Sequence, residues 1–468
     1  MTNVLSGQDL IDAGLEQGKW FRRALAAGNA LLERGGSLEE AIALARGFAP
    51  PPAIPLRAAS AVPFHLNIEA ETPEEAANVE AVARTMTELM RTPVVRAGAV
   101  MPDACPAGPL GTIPVGGVAV SEAIHPGMHS ADICCSMAIS VFPGIAPARL
   151  LDAVHQVTHF GPGGRPRGQQ LRPSAGLMER FDANGLLRDM VSLSIEHFGT
   201  QGDGNHFAFV GTLKSSGETA LVTHHGSRGP GARLYAKGMK IADAFRRALS
   251  PETAAQNAWI PAETPEGEAY WEALQLIREW TKQSHLVIHD LAAERLATRV
   301  ADRFWNEHNF VFRREDGLFY HGKGATPAFD NWAADATDLT LIPLNMAEPV
   351  LIARGSNAAH GLGFSPHGAG RNFSRTQHKR LQAGRTDAEI FAQETAGIDA
   401  RFFCGTTDIS ELPSAYKNAA SVRRQIEGFG LAEIVDEVLP HGCIMAGDWE
   451  VNAPWRRKRQ RDVDGASE

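Results

Sequence analysis

The chain has 468 residues, 44% of them hydrophobic and 21% charged, with a formal net charge of −9. Length calls for one large or two to three ordinary domains, and composition excludes a disordered tail, a collagen-like array or a coiled coil. No apolar run approaches the roughly 20 residues that span a bilayer, and the acidic balance argues against broad clinging to nucleic acid.

The amino-terminal MTNVLSGQDLID lacks the basic start and apolar stretch of a secretory signal, so the expected location is cytoplasmic. Ser37-Leu-Glu-Glu40 fits a capping box, in which the serine hydroxyl and the glutamate satisfy free amides. Thr72-Pro-Glu-Glu75 does the same more strongly, with proline at the first helical position. Ala76, Val79, Val82 and Met86 then recur at helical spacing to about Met90. Pro50-Pro-Pro52 marks a break between these helices.

From Val94 the texture changes. VVRAGAVM, MAISVF, HFAFVG, ALVTHH, FVFR and LTLIPL are short β-branched or aromatic runs bounded by glycine, proline or polar residues. Long helices are expected near Glu268 to Phe304, with Trp271, Leu274, Ile277 and Trp280 on one face, and over Ser421 to Glu437. Strands and helices intermix without regular alternation or repeat, so the expected class is α+β, with a single large domain. Its bounds are 93–450, after a helical N-terminal region over 1–92. A basic tail over 451–468, with five basic and three acidic residues between Trp455 and Glu468, reads as a solvated end.

Five cysteines are too few for a disulfide framework and leave room for thiolate or metal chemistry. Histidine stands out, with 17 copies against four tyrosines. The chemistry concentrates in glycine-rich junctions beside the strands. In His125-Pro-Gly-Met-His-Ser-Ala-Asp132-Ile-Cys-Cys135, Asp132 and Cys135 are close enough to converge on one ion. A hard oxygen beside a soft thiolate suits a transition metal. Read alone, a small buried cysteine beside a turn-forming aspartate is the commoner arrangement.

Gly202-Asp-Gly204-Asn205-His206 lets backbone approach a ligand, although glycines are more often plain turn residues. Thr223-His224-His225-Gly226-Ser227-Arg228 places histidine and an arginine at a strand end, suited to an anion. Glu307-His308-Asn309 opens another run. Ser365-Pro-His367-Gly-Ala-Gly370-Arg371 leaves a histidine among small residues. Arg371 and Arg375 would share a face if a helix starts there. His285 and His289 have the spacing of paired metal ligands, but they lack the glutamate of HExxH and read as core positions of an amphipathic helix. Cys404 and Cys443 read as packed thiols.

In this order, MPDACPAGPLGTIPVGG from Met101, ADICCSM, GDGNHF, HHGSRGPG, EHN, HGKGATPAF from His321, HGAGRNFSR and AYKNAASV from Ala415 resemble the RtcB family of 3′-phosphate RNA ligases. The likeness runs from about residue 94 to 447. It implies an RtcB-like α+β domain that joins an RNA 3′-phosphate or 2′,3′-cyclic phosphate to a 5′-hydroxyl, with GTP as co-substrate and two Mn2+ ions. It further implies Asp132, Cys135, His206, His224 and His308 as metal ligands, and His367 as the nucleophile that takes GMP. Asn205, Asn309, Met346, Gly368, Ala369 and Gly370 would line the nucleotide site. Arg228, Arg371 and Arg375 would hold RNA phosphates. The donor set by itself suits zinc about as well as manganese.

The chain departs from that family around the base. Phe209 stands where the family carries a glutamate that reads guanine. A Pro-Gly-Ser-Met stretch becomes Pro343-Leu-Asn345-Met346, and a serine becomes Val350. The terminal lysine-glycine is replaced within Cys443-Ile-Met445-Ala446-Gly447, and Cys105 replaces a histidine. Nucleotide preference therefore stays open. So do two other readings: an RNA-end processing enzyme that no longer ligates, and a non-catalytic RNA-binding relative.

Overall fold

The structure, a computed structural model, describes residues 4–49 and 52–449. Pro50, Pro51 and the basic tail at 451–468 lie outside the described residues. The chain divides into two compact units, one of residues 1–55 with 246–252, the other of 56–245 with 253–468.

In the first unit, α1 (Gly7–Asp12), α2 (Phe21–Glu33) and α3 (Leu38–Arg46) enclose a small core of Leu5, Leu10, Phe21, Ala24, Ala41 and Ala45. Ser37 Oγ accepts the Glu40 N–H at 3.1 Å, and Glu40 Oε2 accepts the Ser37 N–H at 2.8 Å. This is the reciprocal cap expected from the sequence.

The second unit begins with β1 (Phe64–Leu66), α4 (Pro73–Leu89), β2 (Val95–Cys105), β3 (Val115–Ser121), β4 (Ser136–Phe142), α5 (Pro147–Val157), α6 (Ala175–Ala183) and α7 (Val191–His197). It continues through β5 (Phe207–Leu213), β6 (Thr219–His225), α8 (Arg228–Leu249), α9 (Pro265–Arg295), β7 (Asp302–Glu307), β8 (Asn309–Arg313), β9 (Phe319–Lys323) and β10 (Ala325–Pro327). The last elements are β11 (Leu339–Pro343), β12 (Val350–Gly355), β13 (Phe364–Pro366), α10 (Arg375–Leu381), α11 (Asp387–Glu394), β14 (Asp399–Phe402), α12 (Ala419–Gly428) and β15 (Ala432–Met445). At α4 the cap is only half reciprocal. Thr72 Oγ1 accepts the Glu75 N–H at 3.2 Å, while the Glu75 carboxylate turns to the Glu71 N–H at 2.8 Å.

The class is α+β. One sheet has the order β1-β2-β3-β9-β8, and a second runs β11-β12-β15-β5-β6-β4-β7 with β14 beside β15. Strands β10 and β13 form a short antiparallel pair. Helix α9 buries Tyr270, Leu274, Ile277 and Trp280 in the largest core cluster. No helix among the described residues is long and apolar enough to cross a membrane.

Three elements differ from the sequence expectation. Helix α9 stops at Arg295, and Phe304 belongs to β7. The chain turns at Ala297, with φ of 50°, and β-branched Thr298 and Val300 follow. Helix α12 ends at Gly428, after which Gly430 takes φ of 59° and 432–445 is strand. The alternating EIVDEVL run suits that strand. Helix α8 was hidden because Gly229, Pro230, Gly231 and Gly238 break the usual helical pattern.

Candidate active site

Four neighbouring strands of the larger sheet deliver the cage. Antiparallel pairing puts the start of β5, the end of β6, the start of β4 and the end of β7 on one edge. Phe207 faces His224 and Met137 faces His224 across the ladder, while Ser136 faces Glu307. The residues at or just beyond those ends are His206, His224, Cys135 and His308. Alternation along a strand then decides which side chains share the edge. Gly226 is required there, since a Cβ on it would lie 2.0 Å from Asp132 Oδ1.

Cys135 Sγ is 3.2 Å from His224 Nε2 and 3.5 Å from His206 Nε2. His206 Nε2 is 3.1 Å from Asp132 Oδ2, and His224 Nε2 is 3.2 Å from His308 Nε2. The structure thus gathers all five side chains into two triplets that share the thiol, Cys135–His224–His308 and Asp132–Cys135–His206. In each triplet the ligand atoms lie within 4.8 Å of one another.

The donor chemistry fits a cation. His206 Nδ1 donates to the Gln201 carbonyl at 2.7 Å, and His224 Nδ1 donates to the Asn205 carbonyl at 3.1 Å. In a neutral ring each then turns a bare Nε2 lone pair inward, toward a sulfur and a carboxylate that also offer electrons. Burial pushes His224 down to about 3 and His308 well below its usual range, so both stay neutral. Burial pushes Asp132 up, but its polar neighbours His206, Cys135 and Arg228 together outweigh it and hold the carboxyl at about 2. Burial, reinforced by Asp132, pushes the Cys135 thiol well up. A bound cation would displace its proton. His308 Nδ1 is buried without a hydrogen-bond partner.

His367 follows β13 and lies against the cage, its ring centroid 4.9 Å from that of His308. Its Nδ1 donates to Asp103 Oδ2 at 2.6 Å, and its backbone N–H donates to the same oxygen at 3.3 Å. Asp103 is fully buried in β2. A carboxylate on Nδ1 fixes the tautomer and leaves Nε2 as the free lone pair. His367 opens on a cavity of about 240 Å3. The cavity is also lined by Asn205, Asn309, Met346, Gly368, Ala369 and Gly370.

The three arginines divide. Arg371 lines that cavity, whereas Arg228 and Arg375 line another hollow with Asp132 and His206. Arg371 precedes α10 and Arg375 starts it, so they do not share a helical face as expected. They converge instead on Glu411, whose Oε2 accepts Arg371 Nη2 at 2.5 Å and whose Oε1 accepts Arg375 Nε at 2.7 Å. Tyr416 Oη donates to Glu411 Oε2 at 2.6 Å, and the Arg371 guanidinium lies over the Tyr416 ring at 4.5 Å. Arg228 Nη2 donates to the Gly161 carbonyl at 2.9 Å, and its buried Nε has no partner.

Asp103, Glu411 and Lys323 were not singled out from the sequence. Asp103 could have been found as a charged residue inside an apolar strand run. Glu411 carries no local signal. Lys323 lines the cavity beside Gly324, where a Cβ would lie 3.0 Å from His367 Nδ1. His285 and His289 form a separate buried network. Thr223 Oγ1 lies 2.7 Å from His285 Nδ1 and 2.8 Å from His289 Nε2.

Residues 163–446 match the family described as tRNA-splicing ligase RtcB, well over half of the chain. The chain belongs to the RtcB family. The matched span holds His206, His224, His308 and His367, while Asp103, Asp132 and Cys135 precede it. The chain is similar to the tRNA-splicing ligase RtcB of Aeropyrum pernix, at 26% identity over 322 residues, 60% of this chain and 66% of that protein. A second likeness is to the tRNA-splicing ligase RtcB of Thermococcus kodakarensis, at 25% over 309 residues, 57% of this chain and 63% of that protein. The RNA-splicing ligase RtcB of Mycobacterium tuberculosis shares 24% over 303 residues, 58% of this chain and 69% of that protein. The chain thus spans just under two thirds of the length of the first two RtcB relatives.

Proposed function

We propose that this chain is a cytoplasmic RNA ligase that joins an RNA 3′-phosphate or 2′,3′-cyclic phosphate end to a 5′-hydroxyl through a nucleotidylated His367. The observation that carries the reading is the Asp103–His367 pair, in which a buried carboxylate takes Nδ1 of a histidine that lines a cavity and lies against a group of side chains able to hold a metal ion. Family membership supports the same reading. Asp132, Cys135, His206, His224 and His308 would hold two Mn2+ ions. Their donor set also takes zinc. Such ions would neutralise charge growing on phosphate oxygens.

In the first step the His367 Nε2 lone pair attacks the α-phosphorus of GTP. A P–N bond forms, and the bond from the α-phosphorus to the bridging oxygen breaks. Pyrophosphate leaves with that electron pair. Asp103 stabilises the positive charge that appears on the ring. Asn205, Asn309, Met346, Gly368, Ala369 and Gly370 would surround the nucleotide. In the second step an oxygen of the RNA 3′-phosphate attacks the same phosphorus, and the P–N electrons return to Nε2. In the third the 5′-hydroxyl oxygen attacks the RNA phosphorus, GMP departs with its bridging oxygen, and the hydroxyl proton passes to water. A cyclic end first adds water across its P–O2′ bond, giving the 3′-phosphate and a 2′-hydroxyl. Arg228, Arg371 and Arg375 would hold RNA phosphates, a task that suits the planar guanidinium fork.

The test is incubation with Mn2+ and GTP labelled at the α-phosphate. The reading expects a covalent adduct that is labile to acid and stable to alkali, and that is absent in His367→Ala. No adduct, or equal labelling of the variant, would reject it.

A further inference from the structure

We infer that the nucleotide cavity does not discriminate guanine from adenine and accepts either purine triphosphate. This rests on the nucleotide-binding reading above and concerns the base alone.

Much of the cavity lining is apolar. Phe209, Met346, Val350, Cys443 and Met445 line the cavity and belong to one buried cluster. Strand pairing sets Cys443 opposite Phe209 and Met445 opposite Phe207. Guanine differs from adenine on its pairing edge by an N1–H and an exocyclic N2 amine, two donor groups that need acceptors. A site selects guanine when it supplies those acceptors, because it then leaves them unpaired with any other base.

The cavity side chains hold few acceptors in reserve. Glu411 is the one carboxylate among its described lining residues, and it is held by ion pairs and a hydrogen bond, Oε2 accepting from Arg371 and Tyr416 and Oε1 from Arg375. Asn309 Oδ1 accepts the Gly324 N–H at 2.7 Å. Asn345 Oδ1 accepts the Ala347 N–H at 2.9 Å, which leaves its NH2 group for the cavity. Asn205, which precedes the cage residue His206, also lines the cavity. The side chains offered to a base are therefore mainly apolar, with the Asn345 amide as a donor. That donor meets O6 or N7 of guanine and N1 or N7 of adenine equally well. The apolar surface gains from either ring.

The experiment is calorimetric titration of the full-length protein with GTP and with ATP in the presence of Mn2+. The expected dissociation constants agree within tenfold. A preference for GTP above tenfold, or binding of neither nucleotide, overturns the inference. Asn345→Asp, which puts a carboxylate oxygen in place of the NH2 at almost unchanged volume, is expected to raise the GTP-to-ATP preference at least fivefold. An unchanged ratio in a folded variant would overturn the account of why discrimination is absent. Adduct formation is measured separately. Equal binding without a covalent adduct supports this inference and rejects the ligase reading instead.

Discussion

Asp103 Oδ2 and His367 Nδ1 meet at 2.6 Å across 264 positions of chain, and the carboxylate is fully buried beneath the ring. That contact occupies Nδ1 and leaves Nε2 as the nitrogen proposed to attack the nucleotide. Asp103→Asn keeps the volume and an acceptor but lets the amide stabilise the other tautomer. Nucleotidylation should slow by about 100-fold, within the range of a lost orienting or proton-handling group. Single-turnover labelling measures it, and an unaltered thermal melt shows that the fold persists. An undiminished rate would remove Asp103 from the mechanism.

Cys135 belongs to both ligand triplets, whereas His308 belongs to one. Metal content of the purified chain should separate them without any reference to catalysis. Elemental analysis after Mn2+ loading is expected to find two ions in the wild type, one in His308→Ala and close to none in Cys135→Ser. Equal metal in Cys135→Ser and wild type would mean that the shared thiol is not a ligand.

The clustering of the candidate ligands was legible because Cys135, His206, His224 and His308 each sit at or beside a recognisable strand end. Once β4, β5, β6 and β7 pair in register, Cys135, His206, His224 and His308 have little freedom to diverge. Asp103 and Glu411 were not legible in that way, since their partners lie 264 and about 40 residues away and only the fold joins them. Helix α8 is not legible in the sequence because Gly229, Pro230 and Gly231 open it with residues that usually end helices. The overlong helices at 296–304 and 429–437 show the converse. Apolar spacing continued past the point where Ala297 and Gly430 turn the chain.

Glu411 holds two guanidinium groups and a phenol from inside the protein. Glu411→Ala should therefore lower stability by about 3 kcal/mol, the typical cost of removing one partner from a buried ion pair. Chemical denaturation measures this. Arg375→Ala, at a half-exposed position, should cost much less. If the two variants are equally stable, Glu411 does not organise the arginines.

Burial pushes Lys323 down to about 8, and the residue lines the cavity next to His367. The depressed value means that the ammonium is mostly charged below pH 7 and loses its proton as pH rises through about 8. Its pull on a triphosphate should vanish over the same interval. A bound anion favours the charged form, so the break for the complex lies above that of the free protein. Triphosphate affinity is expected to fall by about fivefold between pH 7 and 9, the difference between a charged and a neutral hydrogen bond. Lys323→Arg should show no such fall. A parallel loss in that variant would assign the titration elsewhere.

On the proposed reading His367 carries the nucleotide. Peptide mass mapping of the chain, quenched in alkali after reaction with Mn2+ and GTP, locates the covalent adduct directly. A nucleoside monophosphate on the peptide that contains His367, and on that histidine when it is fragmented, is the predicted result. An adduct on any other residue, or none while metal and nucleotide are both bound, would contradict it.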